Sequence, residues 1–242
     1  MRVAVRAHDI TAKTPEELCE KLHSLGVSEI QLVPHKSFPN FVYNKENILT
    51  LSKTLSQNGI HVAVYGRYID PVTDEGIKTF IEHIEYAKIL NADVIATESA
   101  VKPVEFPCDQ QIYDALRESF QMFCSLGQKH HVKVAVETVQ IHPVNTVQQT
   151  YELLKKVDCS NFGVILDPEN LSMENEDLQE SYARQAIELY GKSILAVHWK
   201  KELVGSQHSV LNWLQNQDAV PLITEGITEA SLRHIIPQFT EF

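Results

Sequence analysis

The chain alternates short runs of apolar and β-branched residues with longer stretches of helical spacing. Eight runs read as strands: 2–8 (RVAVRAH), 29–34 (EIQLVP), 61–66 (HVAVYG), 93–98 (DVIATE), 133–138 (KVAVET), 163–167 (GVILD), 194–199 (ILAVHW) and 221–226 (PLITEG). Between them, segments such as 15–25, 77–90, 113–127, 146–157, 178–190 and 210–215 have helical spacing, several with Thr, Asp or Pro near their starts. Such alternation points to a parallel sheet, and eight repeats in 242 residues is the size at which the sheet closes into a (β/α)8 TIM barrel. No Pro/Ser/Gly-rich linker or low-complexity run divides the chain, so residues 1–242 are expected to form a single α/β domain. The acidic stretch 170–180 reads as the first turn of a helix more readily than as a mobile loop.

Period-two reading of the fifth and sixth strands is the most informative. It puts Ala135 on the face of Glu137 and Ile165 on the face of Asp167, with Val134, Val136, Val164 and Leu166 turned the other way. In a parallel barrel the carboxyl ends of the strands lie together, so the two acids should meet at one mouth. Taken singly, Glu137 can cap a helix and Asp167 can begin the turn before Pro168. The spacing of the rim changes that: Glu137, Asp167, His198 and Glu225 recur one strand-helix unit apart, with Ala196 beneath His198 and Ile223 beneath Glu225. Three carboxylates and an imidazole make a hard, oxygen-rich set suited to one divalent ion such as Mn2+, Mg2+, Co2+ or Zn2+, and the lack of cysteine disfavours a structural zinc site.

Composition narrows the partners. A net charge of −11 opposes binding to a phosphate backbone. No apolar run approaches a membrane span. Cys19, Cys108, Cys124 and Cys159 include no C-x-x-C pair, and the start MRVAVRAHDI does not read as a signal sequence, so a reduced, cytoplasmic protein acting on a small molecule is expected.

The segments VAVETVQIHPVNT, VILDPENL, AVHWKKE and ITEG, with VYGRYIDP and VIATES before them, resemble the xylose-isomerase-like TIM-barrel family of sugar and sugar phosphate isomerases and epimerases. The resemblance implies that Glu137, Asp167, His198 and Glu225 bind the metal, and that Glu137 and Glu225 are the catalytic pair that moves protons. Those ketose epimerases carry a His three residues after the strand-six Asp, where this chain has Asn170. It also has Lys200, Lys201 and Glu202 where a Lys-Asp pair is common. Elementary chemistry agrees: a metal chelating a carbonyl and the adjacent hydroxyl stabilises an enediolate, and two glutamates can remove and return the proton.

Further candidates for substrate binding are His8, Tyr68, Glu98, His142, Asn170 and Lys200. Four of them have an ordinary alternative: His8 as a hydrogen-bonded rim residue, Glu98 as a partner for a Lys or Arg, His142 as part of an HPVN turn, and Lys200 as a solvated lysine. Arg67 is a candidate anion contact but more readily a surface residue. His130 and His131 read as structural residues opening the fifth strand. The rival functions are a metal-dependent dehydratase or lyase on a hydroxy-acid or keto-inositol, and a non-catalytic sugar-binding barrel. An apurinic-site endonuclease fits poorly, given Asn170 and the acidic charge. Self-association is expected only weakly, as related barrels often pair.

Overall fold

The computed structural model describes residues 1–100, 110–172, 176–200 and 208–240. In order, the elements are β1 (Arg2–Arg6), α1 (Pro15–Ser24), β2 (Glu29–Leu32), α2 (Pro34–Ser37), α3 (Lys45–Gln57), β3 (His61–Gly66), α4 (Asp74–Ile89), β4 (Val94–Glu98), α5 (Gln110–His130), β5 (Lys133–Glu137), α6 (Val147–Val157), β6 (Phe162–Leu166), α7 (Pro168–Ser172), α8 (Glu176–Tyr190), β7 (Ile194–Trp199), α9 (His208–Leu214), β8 (Pro221–Thr224) and α10 (Glu229–Thr240). The eight strands are parallel, pair in chain order and close with β1 on β8. The expected (β/α)8 barrel is therefore the fold. Among the described residues no helix is long and apolar enough to cross a membrane.

Helix starts follow the local chemistry. Thr14, Thr73 and Thr146 accept the backbone N–H three residues on, at Glu17, Gly76 and Gln149, and Asn44 does the same for Asn47. Each cap satisfies a donor the helix cannot, typically worth about 1 kcal/mol. Pro15 and Pro34 sit in the first turns of α1 and α2, where a missing N–H costs nothing.

The two faces of each strand feed two separate cores. Ala135, Ile165, Ala196 and Ile223 belong to a cluster inside the barrel, together with Ala4, Ala63 and Ala96. Val134, Val136, Val164 and Leu166 belong instead to the shell between strands and helices. This is the split that period two requires.

Several boundaries differ from expectation. β1 ends at Arg6, and Ala7–Asp9 form a 3-10 turn, so His8 lies beyond the strand rather than at its tip. β2 stops at Leu32 because Pro34 begins α2. His130 ends α5 and His131 takes a left-handed turn conformation (φ 59°), so neither opens β5. Cys19, Cys124 and Cys159 are free thiols; Cys108 lies outside the described residues.

Candidate metal centre at the carboxyl ends of the strands

Glu137 closes β5, Asp167 follows β6, His198 is next to last in β7 and Glu225 follows β8. One ligand atom from each lies within 4.8 Å of the others. His198 Nδ1 is 2.8 Å from Glu225 Oε2, 3.3 Å from Glu137 Oε1 and 3.5 Å from Asp167 Oδ2. None of these contacts has hydrogen-bond alignment, and His198 Nδ1 is buried without a hydrogen-bond partner. A single ring proton cannot serve three carboxylates. A cation at their centre can, so the donor set fits a divalent ion.

Neighbours hold these groups in place. The other imidazole nitrogen, Nε2, is 3.1 Å from the Gln31 side-chain oxygen, and the Gln31 amide donates to the Tyr68 hydroxyl (3.2 Å). Tyr68 donates in turn to Glu137 Oε2 at 3.4 Å. Asn170 donates to Glu137 Oε1 (3.3 Å) and accepts from Lys200 (2.7 Å), while its backbone N–H donates to Asp167 Oδ1 (2.9 Å). Lys200 Nζ stands 2.7 Å from Asp167 and 3.6 Å from Glu225. Arg6 reaches Glu225 Oε1 at 2.6 Å and forks onto Asp9, whose carboxylate accepts the Gly226 N–H at 2.7 Å.

The electrostatics follow from burial and these contacts. Burial opposes a charge on His198, but the surrounding carboxylates outweigh it and raise its pKa well above the ordinary value. Burial also opposes ionisation of Glu225, and His198, Lys200 and Arg6 together keep it far below the usual carboxylate range. Burial and the acids Glu137, Glu225 and Glu98 raise Tyr68 well above a normal phenol, so it stays a donor.

Tyr68, Asn170 and Lys200 thus touch the cluster directly, and Lys200 is engaged rather than solvated. Glu98 and His142 meet each other instead, with His142 Nδ1 3.2 Å from Glu98 Oε2. The alternative of a Lys or Arg partner for Glu98 gives way to this histidine. Burial and the nearby Glu137 push the Glu98 carboxyl up to about 7. His8 is half-buried, its pKa lowered to about 4 by burial and then by Arg6. Arg67 is not a free surface residue: it is half-buried, with its guanidinium 5.2 Å from the Tyr43 ring centroid. Lys201 and Glu202 lie outside the described residues.

Gln31, Arg6 and Asp9 were not assigned roles from the sequence. Gln31 carried a signal, being a polar residue inside the apolar run EIQLVP, and it is fully buried. Arg6 and Asp9 gave none, because their partners Glu225 and Gly226 come from the far end of the chain.

Residues 19–228 match the xylose isomerase-like TIM barrel family. The chain belongs to that family. Among solved structures, this xylose isomerase-like barrel is similar to D-psicose 3-epimerase from Clostridium cellulolyticum H10, with 15% identity and a TM-score of 0.78 over 100% of this chain and 98% of that one. It is similar to the probable 3-DHS dehydratase AsbF of Bacillus anthracis, with 15% identity and a TM-score of 0.76 over 99% of each chain. It is also similar to the zinc-bound IolI protein, with 16% identity and a TM-score of 0.78 over 99% of this chain and 96% of that one. At these identities the likeness is one of fold. Among curated proteins, none matches the sequence significantly.

Proposed function

We propose that this barrel is a divalent-metal-dependent isomerase or epimerase of a small carbohydrate or its phosphate. The observation that carries the reading is the buried, unpartnered His198 Nδ1 set among three carboxylates. Glu137, Asp167, His198 and Glu225 would hold the ion, which when bound supplies Lewis acidity toward an adjacent carbonyl and hydroxyl. Glu137, oriented by Tyr68 and Asn170, and Glu225, oriented by Arg6 and Lys200, would take and return the proton on carbon from different corners of the pocket. Lys200 is placed to meet negative charge as it develops on the substrate oxygens. Tyr68, Asn170, Glu98, His142 and His8 would form the surrounding wall.

A dehydratase is the second reading, favoured by one observation. The Glu98–His142 pair is a protonatable acid held at the same mouth, and an acid of that kind can deliver a proton to a departing hydroxyl. A barrel of similar fold named as a dehydratase fits that option.

The test is incubation of metal-loaded protein in D2O with a panel of ketoses, their phosphates, keto-inositols and hydroxy-acids. Deuterium entering a carbon-bound position with a new epimer or isomer supports the first reading. Deuterium entry with loss of water favours the second. Sugar binding with neither reaction would leave a non-catalytic barrel.

A further inference from the structure

The opposite mouth, at the amino ends of the strands, opens into a cavity of about 450 Å³ whose lining includes Ala63, Val94, Leu195, His131, Lys133 and Lys192. That volume lies in the range of small-ligand sites. Three observations separate it from an imperfectly filled barrel end.

The first is that both register irregularities of the sheet lie in its wall. β2 pairs Ile30 with Val62 and then Gln31 with Val64, so Ala63 is an extra residue in β3. β6 pairs Val164 with Ile194 and then Ile165 with Ala196, so Leu195 is an extra residue in β7. Bulges bend a strand and re-aim a side chain, and they concentrate at barrel rims and beside sites. Gly163 makes room for the second, since a Cβ there would stand 2.3 Å from Ser193 O and 2.5 Å from Leu195 Cγ.

The second is the size of the inner side chains. Barrel interiors are usually filled by bulky branched residues. Here the inner residue at the bulge of β3 is Ala63, which lines the cavity where a larger branched side chain would take up part of its space.

The third is charge. Arg2 is spent on Glu29, Asp93 and the Ala219 carbonyl, and Asp93 is further met by His61 at 3.0 Å. Lys133 opens β5 and Lys192 sits in the turn before β7, so the two flank the start of β6. Both are exposed and neither has a carboxylate partner among the described residues, in a chain of net charge −11. His131 stands beside them.

We infer that this cavity binds a small polyvalent anion of metabolite size, a phosphate ester or a polycarboxylate. Lys133 and Lys192 meet its charge, and Ala63 and Leu195 meet its carbon skeleton. The site is separate from the metal centre at the other mouth and does not depend on how that centre is read.

The test uses the full chain after chelator treatment, so that no metal captures an anion at the other mouth. Calorimetric titration with inorganic pyrophosphate and with citrate separates phosphate from carboxylate recognition. At least one should bind one to one, and Lys133→Glu and Lys192→Glu should each weaken it by about tenfold or more. Asp167→Ala should leave it unchanged. On binding, methyl resonances of Ala63 and Leu195 should shift in the wild-type protein; if the charge reversals do not fold, Lys133→Gln and Lys192→Gln with these methyl shifts decide. The inference is overturned if neither anion binds, if binding survives both lysine substitutions, or if the shifts cluster around Asp167. Lysines that only offset helix carboxyl ends would change the melting temperature on substitution while wild-type protein bound neither anion, which would also overturn it.

Discussion

His198 Nε2 faces the side-chain oxygen of Gln31 at 3.1 Å, across 167 positions of sequence. The direction of this bond is fixed by its neighbours. The Glu137 carboxylate accepts from Tyr68, Tyr68 accepts from the Gln31 amide nitrogen, and Gln31 is left with its oxygen toward the imidazole. Nε2 therefore carries a proton toward Gln31, and Nδ1 is the nitrogen left to face a metal ion held among the carboxylates. Gln31→Leu should leave the barrel folded and weaken metal binding about 10- to 100-fold, the usual cost of losing a residue that orients a ligand. Competition titration against a metallochromic chelator checks this, and an unchanged affinity would remove Gln31 from the site.

Asp167 is fully buried and turns Oδ2 toward both Lys200 and the cluster. Protein purified without chelator is expected to hold one divalent ion per chain, and Asp167→Ala to hold far less. Metal should also raise thermal stability, by about 2.7 kcal/mol at 100 times its dissociation constant. Elemental analysis and melting curves with and without chelator measure both. Equal metal in the two proteins counts against the site.

Glu137→Gln and Glu225→Gln keep side-chain shape while removing a basic oxygen. Each should lower turnover by about 100-fold or more, the scale of a general acid or base. One of the two should still exchange the substrate's carbon-bound hydrogen with D2O, because abstraction and return from a single face need only the base on that face. Loss of exchange in both variants with substrate binding intact would show that the two do not act independently.

His83 on α4 is 2% exposed, and Tyr65 lies 2.6 Å from its Nδ1. Burial, then the charges of Arg67 and His35, depress its pKa to about 3. The folded state therefore binds this proton less well than the unfolded chain, whose pKa is about 6.5. The stability it contributes is present above pH 6.5 and is lost as pH falls toward 3, with a slope approaching about 1.4 kcal/mol per unit. Between pH 7 and 5 wild-type protein should lose about 2 kcal/mol more than His83→Gln, measured by urea denaturation at each pH. Parallel losses would assign the acid sensitivity elsewhere.

The strand-helix alternation and the two-residue period were enough to read the barrel and to put Glu137, Asp167, His198 and Glu225 on one rim. Both depend on local geometry: which face a side chain takes is set by its own strand, and parallel strands bring their ends together. Ala135 and Val134 went to the inner and outer cores for that reason. Tertiary structure decided what surrounds the rim. The nitrogen His198 presents depends on Gln31 from β2, the clamp on Glu225 depends on Arg6 from β1, and Glu98 found His142 rather than a lysine. The bulges at Ala63 and Leu195 likewise belong to strand pairs, since a one-residue register shift exists only relative to a partner. Hydrogen-bond direction, ion pairing and register are properties of two residues at once, and periodicity along one segment describes only one of them.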